Sequence, residues 1–555
     1  MAILEKPALA KQNVESLRRV AWWLDAGALG EAWAGLRFLA ALPNFLRHPI
    51  EPADAITEIK NRLEQRAANL LKLLRQSVYE NPASPYRWLL RQAGCEFGDL
   101  ERLIEQQGVE GALRELFRQR VYLTVDEFKG KQPVLRGNST LWINPLALRN
   151  HRQTIYSTMQ SSGTSGAPSS PVPLTLDYVR TRAANMSAML QTRQGTKWLN
   201  AIWGVPGGAA ISNLLQLAGG GHRPARWFSQ LSLSAPGLHP RYRWSARAMR
   251  WGSLLAGAPL PTAEHVSLDN PLPIVRWMNN VLESGRVPHL QTFASCAVRV
   301  CQAARDSGLR LDGAQFTASG EALTPARRAV IEGAGAQVLV SYGIAECGWV
   351  GQGCLEPETS DDLHLYDDIH AVIQPGIDGA RESLPASALL ISSLSSTAAL
   401  VLLNVSFGDQ ADMVERQCDC PVERLGWRRH LQNVRSYEKL TAGGMTFLDA
   451  DVIRVLEEAL PKEFGGGPTD YQLVEEETEN GRSQLRLLVN PAIGPLDAEA
   501  VAETFLAGIA VGSGAEKIME LQWRDGHLLR VERAVPRNTS RGKILHLYRE
   551  RRFSR

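Results

Sequence analysis

From about residue 150 onward the sequence alternates short apolar runs with Gly-rich turns and helical patches, and this rhythm constrains the fold more than any other feature. The runs at 199–205 (LNAIWGV), 313–319 (GAQFTAS), 336–343 (AQVLVSYG), 368–374 (DIHAVIQ) and 387–394 (SALLISSL) are of strand length and composition. Between two of them, 324–335 (TPARRAVIEGAG) has helical spacing, and strand–helix alternation predicts an α/β layer structure. Residues 1–130 read as mostly helical instead. Apolar residues recur at three- and four-residue spacings over 56–80 and again over 99–120, with Asn81-Pro82 and Ser84-Pro85 breaking the chain between. The apolar stretch 21–48 is interrupted by Asp25, Glu31 and Arg37, which suits one face of a core or partner-packing helix better than a membrane-surface one. After about 435 come a helix (449–460), a strand (484–490), a helix (496–510) and basic strand-like pieces, with Gly465-Gly466-Gly467-Pro468 as a turn inside this unit. The expected fold class is α/β: a helical N-terminal extension over 1–130, a large core of layered sheets and helices over 131–434, and a small α+β domain over 435–555.

Composition excludes several classes. Lys+Arg total 61 against 58 for Asp+Glu, so a dedicated nucleic-acid binder with a concentrated basic surface is not expected. Charged residues are 21% and hydrophobic ones 44%, which excludes a disordered chain. The seven cysteines are an odd, scattered set, unlike a secreted disulfide framework. The N-terminus lacks the apolar core of a signal peptide and no uninterrupted apolar run could span a bilayer, so a soluble cytoplasmic protein is expected.

The loudest local signal is the loop 156–175 (YSTMQSSGTSGAPSSPVPLT). Gly163 and Gly166, with hydroxyls at Ser161, Ser162, Thr164 and Ser165, offer exposed amides that can wrap phosphate oxygens; a serine-rich surface loop is the alternative. Ala167 stands after Gly166, so it is not a Walker A loop. Five further motifs follow in order: ASGEAL (318–323), SYGIAE (341–346), FGD (407–409), RSYEKLTAGG (435–444) and RNTSRGKI (537–544). Together the six resemble the adenylate-forming superfamily over roughly residues 60 to 550, and within it the phenylacetate–CoA ligase branch.

That resemblance implies an AMP-forming acid–thiol ligase using ATP, Mg2+ and CoA, with 131–434 as the adenylate-forming core and 435–555 as the small AMP-binding domain. The loop residues Ser162, Gly163, Thr164 and Gly166 would grip phosphate, and Gly320, Glu321 and Ala322 would line one side of adenine. Tyr342 would pack on the base beside Gly343, Glu346 would be the Mg2+-associated carboxylate, and Asp409 would take both ribose hydroxyls. Arg435 follows the ribose site, Lys543 would be delivered by the small domain to the substrate carboxylate and α-phosphate, and Gly443 and Gly444 would line the pantetheine path. The hinge would lie near Tyr437 and Glu438. Ala167 and Ala345 depart from the lysine and hydroxyl residue usual in the family, which puts one phosphate contact at each in doubt.

Cys418 and Cys420 form a C-x-C pair, and with Cys354 and His364 could make a structural tetrahedral zinc site, with Cys347 as a spare. Members of the branch are similar in carrying Cys/His with zinc at these places; free buried thiols are the alternative. The acyl pocket is expected among Trp203, Phe293, Ala318, Gly343 and Ile344, and the branch resemblance favours an aromatic carboxylic acid. The acceptor is expected to be CoA, with a carrier-protein phosphopantetheine, an amine, or a non-catalytic role as the competing readings. A homodimer is left open.

Overall fold

The computed structural model describes residues 28–160, 171–234, 240–382, 384–437, 440–442, 445–447, 449–477, 483–509, 529–539 and 542–550. Twelve strands form the main sheet. Six are parallel: β1 Leu199–Gly204, β2 Arg226–Ser229, β3 Ala263–His265, β4 Pro288–Phe293, β5 Gln315–Ser319 and β6 Gln337–Ile344. A helix follows each of the first five, as crossovers between parallel strands require. These strands stand in the order β3-β2-β1-β4-β5-β6. The sheet continues antiparallel through β7 Gly348–Gly353, β8 Leu363–Leu365, β9 His370–Ile373, β10 Ala388–Ser393, β11 Val405–Glu415 and β12 Arg429–Ser436, ordered β6-β7-β8-β12-β11-β10-β9.

The central parallel strands β1, β4 and β5 are buried on both faces, which is why they read as continuous apolar runs. Successive residues of β1 and β2 serve opposite layers. Trp203 and Phe228 join the core shared with helices Leu272–Glu283 and Ala294–Asp306. Ile202 and Trp227 join the other, with Phe38, Leu42, Leu214 and Met249. The 21–48 stretch forms helix Ala28–Arg47 within the described residues, its apolar side packed in that second core.

The N-terminal helices are less regular than their periodicity suggests. Segment 56–80 divides into Pro52–Glu64 and Arg66–Leu74 about a non-helical Gln65, then widens into a π turn, Arg75–Tyr79. The break lets Arg66 reach the Glu110 carboxylate and the Asp367 carbonyl. Helix Phe97–Arg118 likewise kinks at Gly108, whose φ of 70° is costly for any other residue. Among the described residues no helix is long and apolar enough to cross a membrane.

The C-terminal unit has its own four-stranded sheet: β13 Tyr471–Glu477, β14 Ser483–Val489, β15 Leu529–Arg533 and β16 Leu547–Glu550, ordered β15-β14-β13-β16. Helical segments from Asp449 to Phe464 and helix Ala498–Ile509 cover it, burying Val452, Leu456, Tyr471, Leu487 and Phe505.

A buried charge cluster seats this unit on the core. Arg327 is fully buried and pairs with Glu321 at 3.1 Å and, across the interface, with Glu457 at 2.8 Å. Glu457 also meets His546 at 2.5 Å and accepts from the Thr324 hydroxyl. Burial pushes the Glu457 carboxyl up, but the opposing pull of Arg327 and then His546 wins and holds it below the usual range. Its ionised form therefore stabilises docking above the ordinary glutamate range. That contribution is lost as pH falls through the lowered folded value. We expect Glu457→Ala, which strips one partner from a buried ion cluster, to cost about 3–5 kcal/mol of interface stability. Small-angle scattering should show an expanded particle, and a wild-type radius in the variant would contradict this.

Candidate active site

In open α/β sheets, ligands bind outside the carboxyl ends of the strands where the strand order reverses. Here the order reverses between β1 and β4. A cavity of 1790 Å3 opens there, lined by the strand-end residues Gly204, Phe293, Ser319 and Ile344. Single small-molecule sites usually measure roughly 300–1,000 Å3, so this one has room for more than one ligand.

Lys543 lines the cavity from the C-terminal unit. Its Nζ lies 5.3 Å from the centroid of the Phe293 ring, at the end of β4. Two glycines permit this approach. Gly320 (φ 73°) holds a backbone where a Cβ would stand 2.9 Å from Phe293 and 3.1 Å from Lys543 Cε. Gly542 (φ 77°) runs against Gln230, which a Cβ would strike. Thr539 closes the Lys543 loop: its amide donates to the Lys543 carbonyl at 2.8 Å, and its hydroxyl accepts from the Lys543 amide at 3.1 Å.

Tyr342, near the end of β6, donates its hydroxyl to Asp409 Oδ2 on β11 at 2.8 Å. Burial, and then the Asp409 charge, raise the Tyr342 pKa well above its usual value, so it stays a donor. Arg435 on β12 faces Gln410 in the register, next to the Asp409–Ser436 pair. Asp409 and Arg435 therefore sit on the neighbouring strands β11 and β12, and the Tyr342 hydroxyl reaches Asp409 from β6, next to Gly343 and Ile344 of the cavity wall.

The other expected residues fall variously. Glu346 is buried, between the cavity-lining Ala345 and the buried Cys347. Glu321 spends its carboxylate on the interface: it accepts from the Ser295 amide and hydroxyl and from the Ile544 amide, besides pairing with Arg327. Ala322 offers its carbonyl to Arg327. Trp203, Phe293, Gly343 and Ile344 line the cavity. Ala318 does not; it is buried in β5, and Ser319 takes the wall position, because alternate strand residues face opposite ways. Ser161, Ser162, Gly163, Thr164, Ser165, Gly166, Ala167, Glu438, Gly443 and Gly444 lie outside the described residues.

Sequence reasoning missed the turn Gly204-Val205-Pro206-Gly207-Gly208 after β1, all of it cavity wall, and also Arg182, Ser212 and Gln291. A Gly-Pro-Gly turn directly after an apolar run was the available signal for the first. Helical residues such as Arg182 gave none, since periodicity does not show which turn of a helix meets a cavity.

The cysteine cluster sits elsewhere, on the antiparallel half of the sheet. Cys354 follows β7, His364 lies in β8, and Cys418 and Cys420 occupy the loop between β11 and β12. Their ligand atoms all fall within 4.8 Å of one another. Cys354 Sγ is 4.0 Å from Cys420 Sγ, and His364 Nε2 is 3.2 Å from Cys420 Sγ and 3.7 Å from Cys418 Sγ. Tetrahedral Zn2+ with bonds of about 2.3 Å to sulfur and 2.0 Å to nitrogen would space its ligands at roughly 3.5–3.8 Å. His364 Nδ1 donates to the Trp427 carbonyl at 2.7 Å, leaving Nε2 as the ligating nitrogen. Asp419 adopts φ 56°, a left-handed turn that aspartate tolerates and that brings the two flanking thiols to the same cluster. The hydrogen bond between Cys354 and Cys420 lowers the Cys420 pKa and raises that of Cys354, as for two thiols near enough to share one proton.

No protein-family model and no curated protein sequence matches the chain. Solved structures do. A 2-hydroxyisobutyryl-CoA ligase in the postadenylation state, complexed with 2-HIB-AMP, aligns with a TM-score of 0.51 at 16% identity over 91% of this chain and 91% of that one. The chain shares that ligase's fold. The same ligase with 2-HIB-AMP and CoA in its thioesterification state aligns at 18% identity and a TM-score of 0.44, covering 91% and 92% of the two chains. Within this fold the Tyr342–Asp409 contact joins two of the sequence motifs through a single hydrogen bond. Hydrogen bonds to charged groups are worth about 1.5–3 kcal/mol. Tyr342→Phe should lower the unfolding free energy by about that much in denaturant melts, with Asp409→Asn largely non-additive to it. Additive effects would show that the two side chains act independently.

Proposed function

We propose that this chain activates a carboxylic acid with ATP to an acyl-adenylate and then forms a thioester with CoA. The observation that carries the reading is Lys543: an ammonium from one structural unit enters a cavity at the strand ends of another. A carboxylate oxygen would attack the α-phosphorus, forming the acyl–phosphate bond as pyrophosphate leaves. Lys543 would neutralise charge on the attacking carboxylate and on the non-bridging oxygens as it builds up. Asp409, fixed by Tyr342, accepts hydrogen bonds and so suits the two ribose hydroxyls. The cavity's size also supports the reading, since acid and nucleotide must be bound together. Mg2+, if bound with the nucleotide, would supply further positive charge at the phosphates. Glu346 is the carboxylate proposed to hold it, and the loop 161–166 the proposed phosphate grip.

In the second step the CoA sulfur would attack the acyl carbonyl and AMP would leave. The C-terminal unit is proposed to turn between the two steps about a hinge at Tyr437 and Glu438, with Gly443 and Gly444 along the pantetheine path. Tyr437 is anchored on the core side, its hydroxyl 2.7 Å from Ser406 Oγ and its amide donating to the Gly408 carbonyl at 2.8 Å. That anchoring supports a boundary there. Trp203, Phe293 and Ile344 on the cavity wall support an acid with an apolar, aromatic body. The four-residue Cys/His cluster is proposed to hold structural zinc, since four protein ligands leave no coordination position open.

Lys543→Ala is expected to abolish carboxylate-dependent ATP–pyrophosphate exchange while sparing thioester formation from presynthesised acyl-adenylate. Equal loss of both half-reactions would sink the assignment. Protein purified without chelators should carry close to one equivalent of zinc by metal analysis, and Cys420→Ser should lose it together with several degrees of melting temperature. Zinc below about half an equivalent in the wild type would remove the metal from the proposal.

A further inference from the structure

Arg182 places a guanidinium in the cavity wall with no carboxylate to answer it. It lies on helix Leu176–Thr192, is 7% exposed, and lines the cavity. Its Nη2 donates to Ser212 Oγ at 3.0 Å and its Cζ stands 4.8 Å from the Tyr178 ring centroid. Its Nε is buried without a hydrogen-bond partner, and among the described residues no acidic side chain pairs with it. Other buried arginines behave differently: Arg327 meets Glu321 and Glu457, and Arg136 meets Glu127. Burial lowers the Arg182 pKa, yet a guanidinium stays protonated at neutral pH. Nearby His370 supplies no countercharge; burial, with the Arg182 charge adding to it, brings its pKa down to about 4, so it is neutral.

The surroundings are shaped to admit the guanidinium. Gly348 lies against Arg182, and a Cβ there would run into the guanidinium. Gly348 pairs with Ile344, and the next register pair is Gly343 with Trp349. Trp349 and Gln291 line the same cavity, and the indole Nε1 and the amide Oε1 are likewise buried without partners.

A buried charge is tolerated where a partner of opposite sign completes it. We propose that Arg182 binds a second anionic group of the acid, a carboxylate remote from the reacting one, so that the preferred substrates are dicarboxylic acids. The proposal rests on the adenylation reading for which carboxylate reacts, but not for the binding itself. Arg182 lines the cavity, so a carboxylate bound there can complete its charge. A nucleotide phosphate offers the same anionic oxygens, and the test separates the two sources.

Titration calorimetry on the full chain would compare 1,4-phenylenediacetate with phenylacetate, suberate with octanoate, and ATP alone. The wild type should bind a diacid about ten-fold more tightly than its monoacid counterpart, the worth of one charge-assisted contact. Arg182→Met should erase that preference, leave ATP affinity unchanged, and melt no lower than the wild type, because it removes an unpaired buried charge. Arg182→Lys should keep part of the preference and serves if the methionine variant does not fold. No diacid preference in the wild type, or a loss in Arg182→Met that falls on ATP instead of the acid, would overturn the proposal. Diacid preference without any carboxylate-dependent pyrophosphate exchange would leave the Arg182 assignment standing and remove the adenylation reading.

Discussion

Arg327 has no exposed surface, and a guanidinium can remain there only because carboxylates reach it from two structural units. Glu321 comes from the core and Glu457 from the C-terminal unit, so the cluster is complete only when the two are docked. The same Glu321 accepts from the Ile544 amide, one residue beyond Lys543. One electrostatic cluster therefore fixes the register between the units and sets the loop that carries the lysine. Its cost when broken is large because each member would leave a charge without a partner.

The parallel half of the sheet supplies the other constraint. Its strand order turns back between β1 and β4, so the connections after those strands diverge and leave a crevice that no helix fills. Side chains on the strand ends and on the β1 turn line it, while Tyr342 ties β6 to Asp409 on the antiparallel half. Polar chemistry and apolar walls thus meet where the two halves of the sheet join. The cysteine cluster lies on that antiparallel half instead, bringing together the end of β7, β8 and the β11–β12 loop.

Much of this was legible in the residues. The runs at 199–205, 313–319, 336–343, 368–374 and 387–394 are all strands, because burial on both faces demands continuous apolar side chains. Cys354, His364, Cys418 and Cys420, grouped by residue chemistry together with the branch resemblance, converge in space. Other features were not legible. Gln65 and Gly108 interrupt helices whose apolar periodicity runs on undisturbed, since the breaks answer distant partners such as Glu110 and Asp367. Ala318 was expected on the acyl wall, but the wall position belongs to Ser319, because strand register decides which of two neighbours faces the cavity.

The sequence by itself determined the α/β alternation, the order of the chemical motifs and the set of candidate ligands, because these follow from local periodicity and residue chemistry. Tertiary structure alone decided that Glu321 serves the interface, that Lys543 enters the cavity beside Phe293, and that Arg182 is buried there with no countercharge among the described residues. Each of those facts depends on which distant groups share a low-dielectric space. Such proximity is a property of the packed chain and is not written in the spacing of its residues.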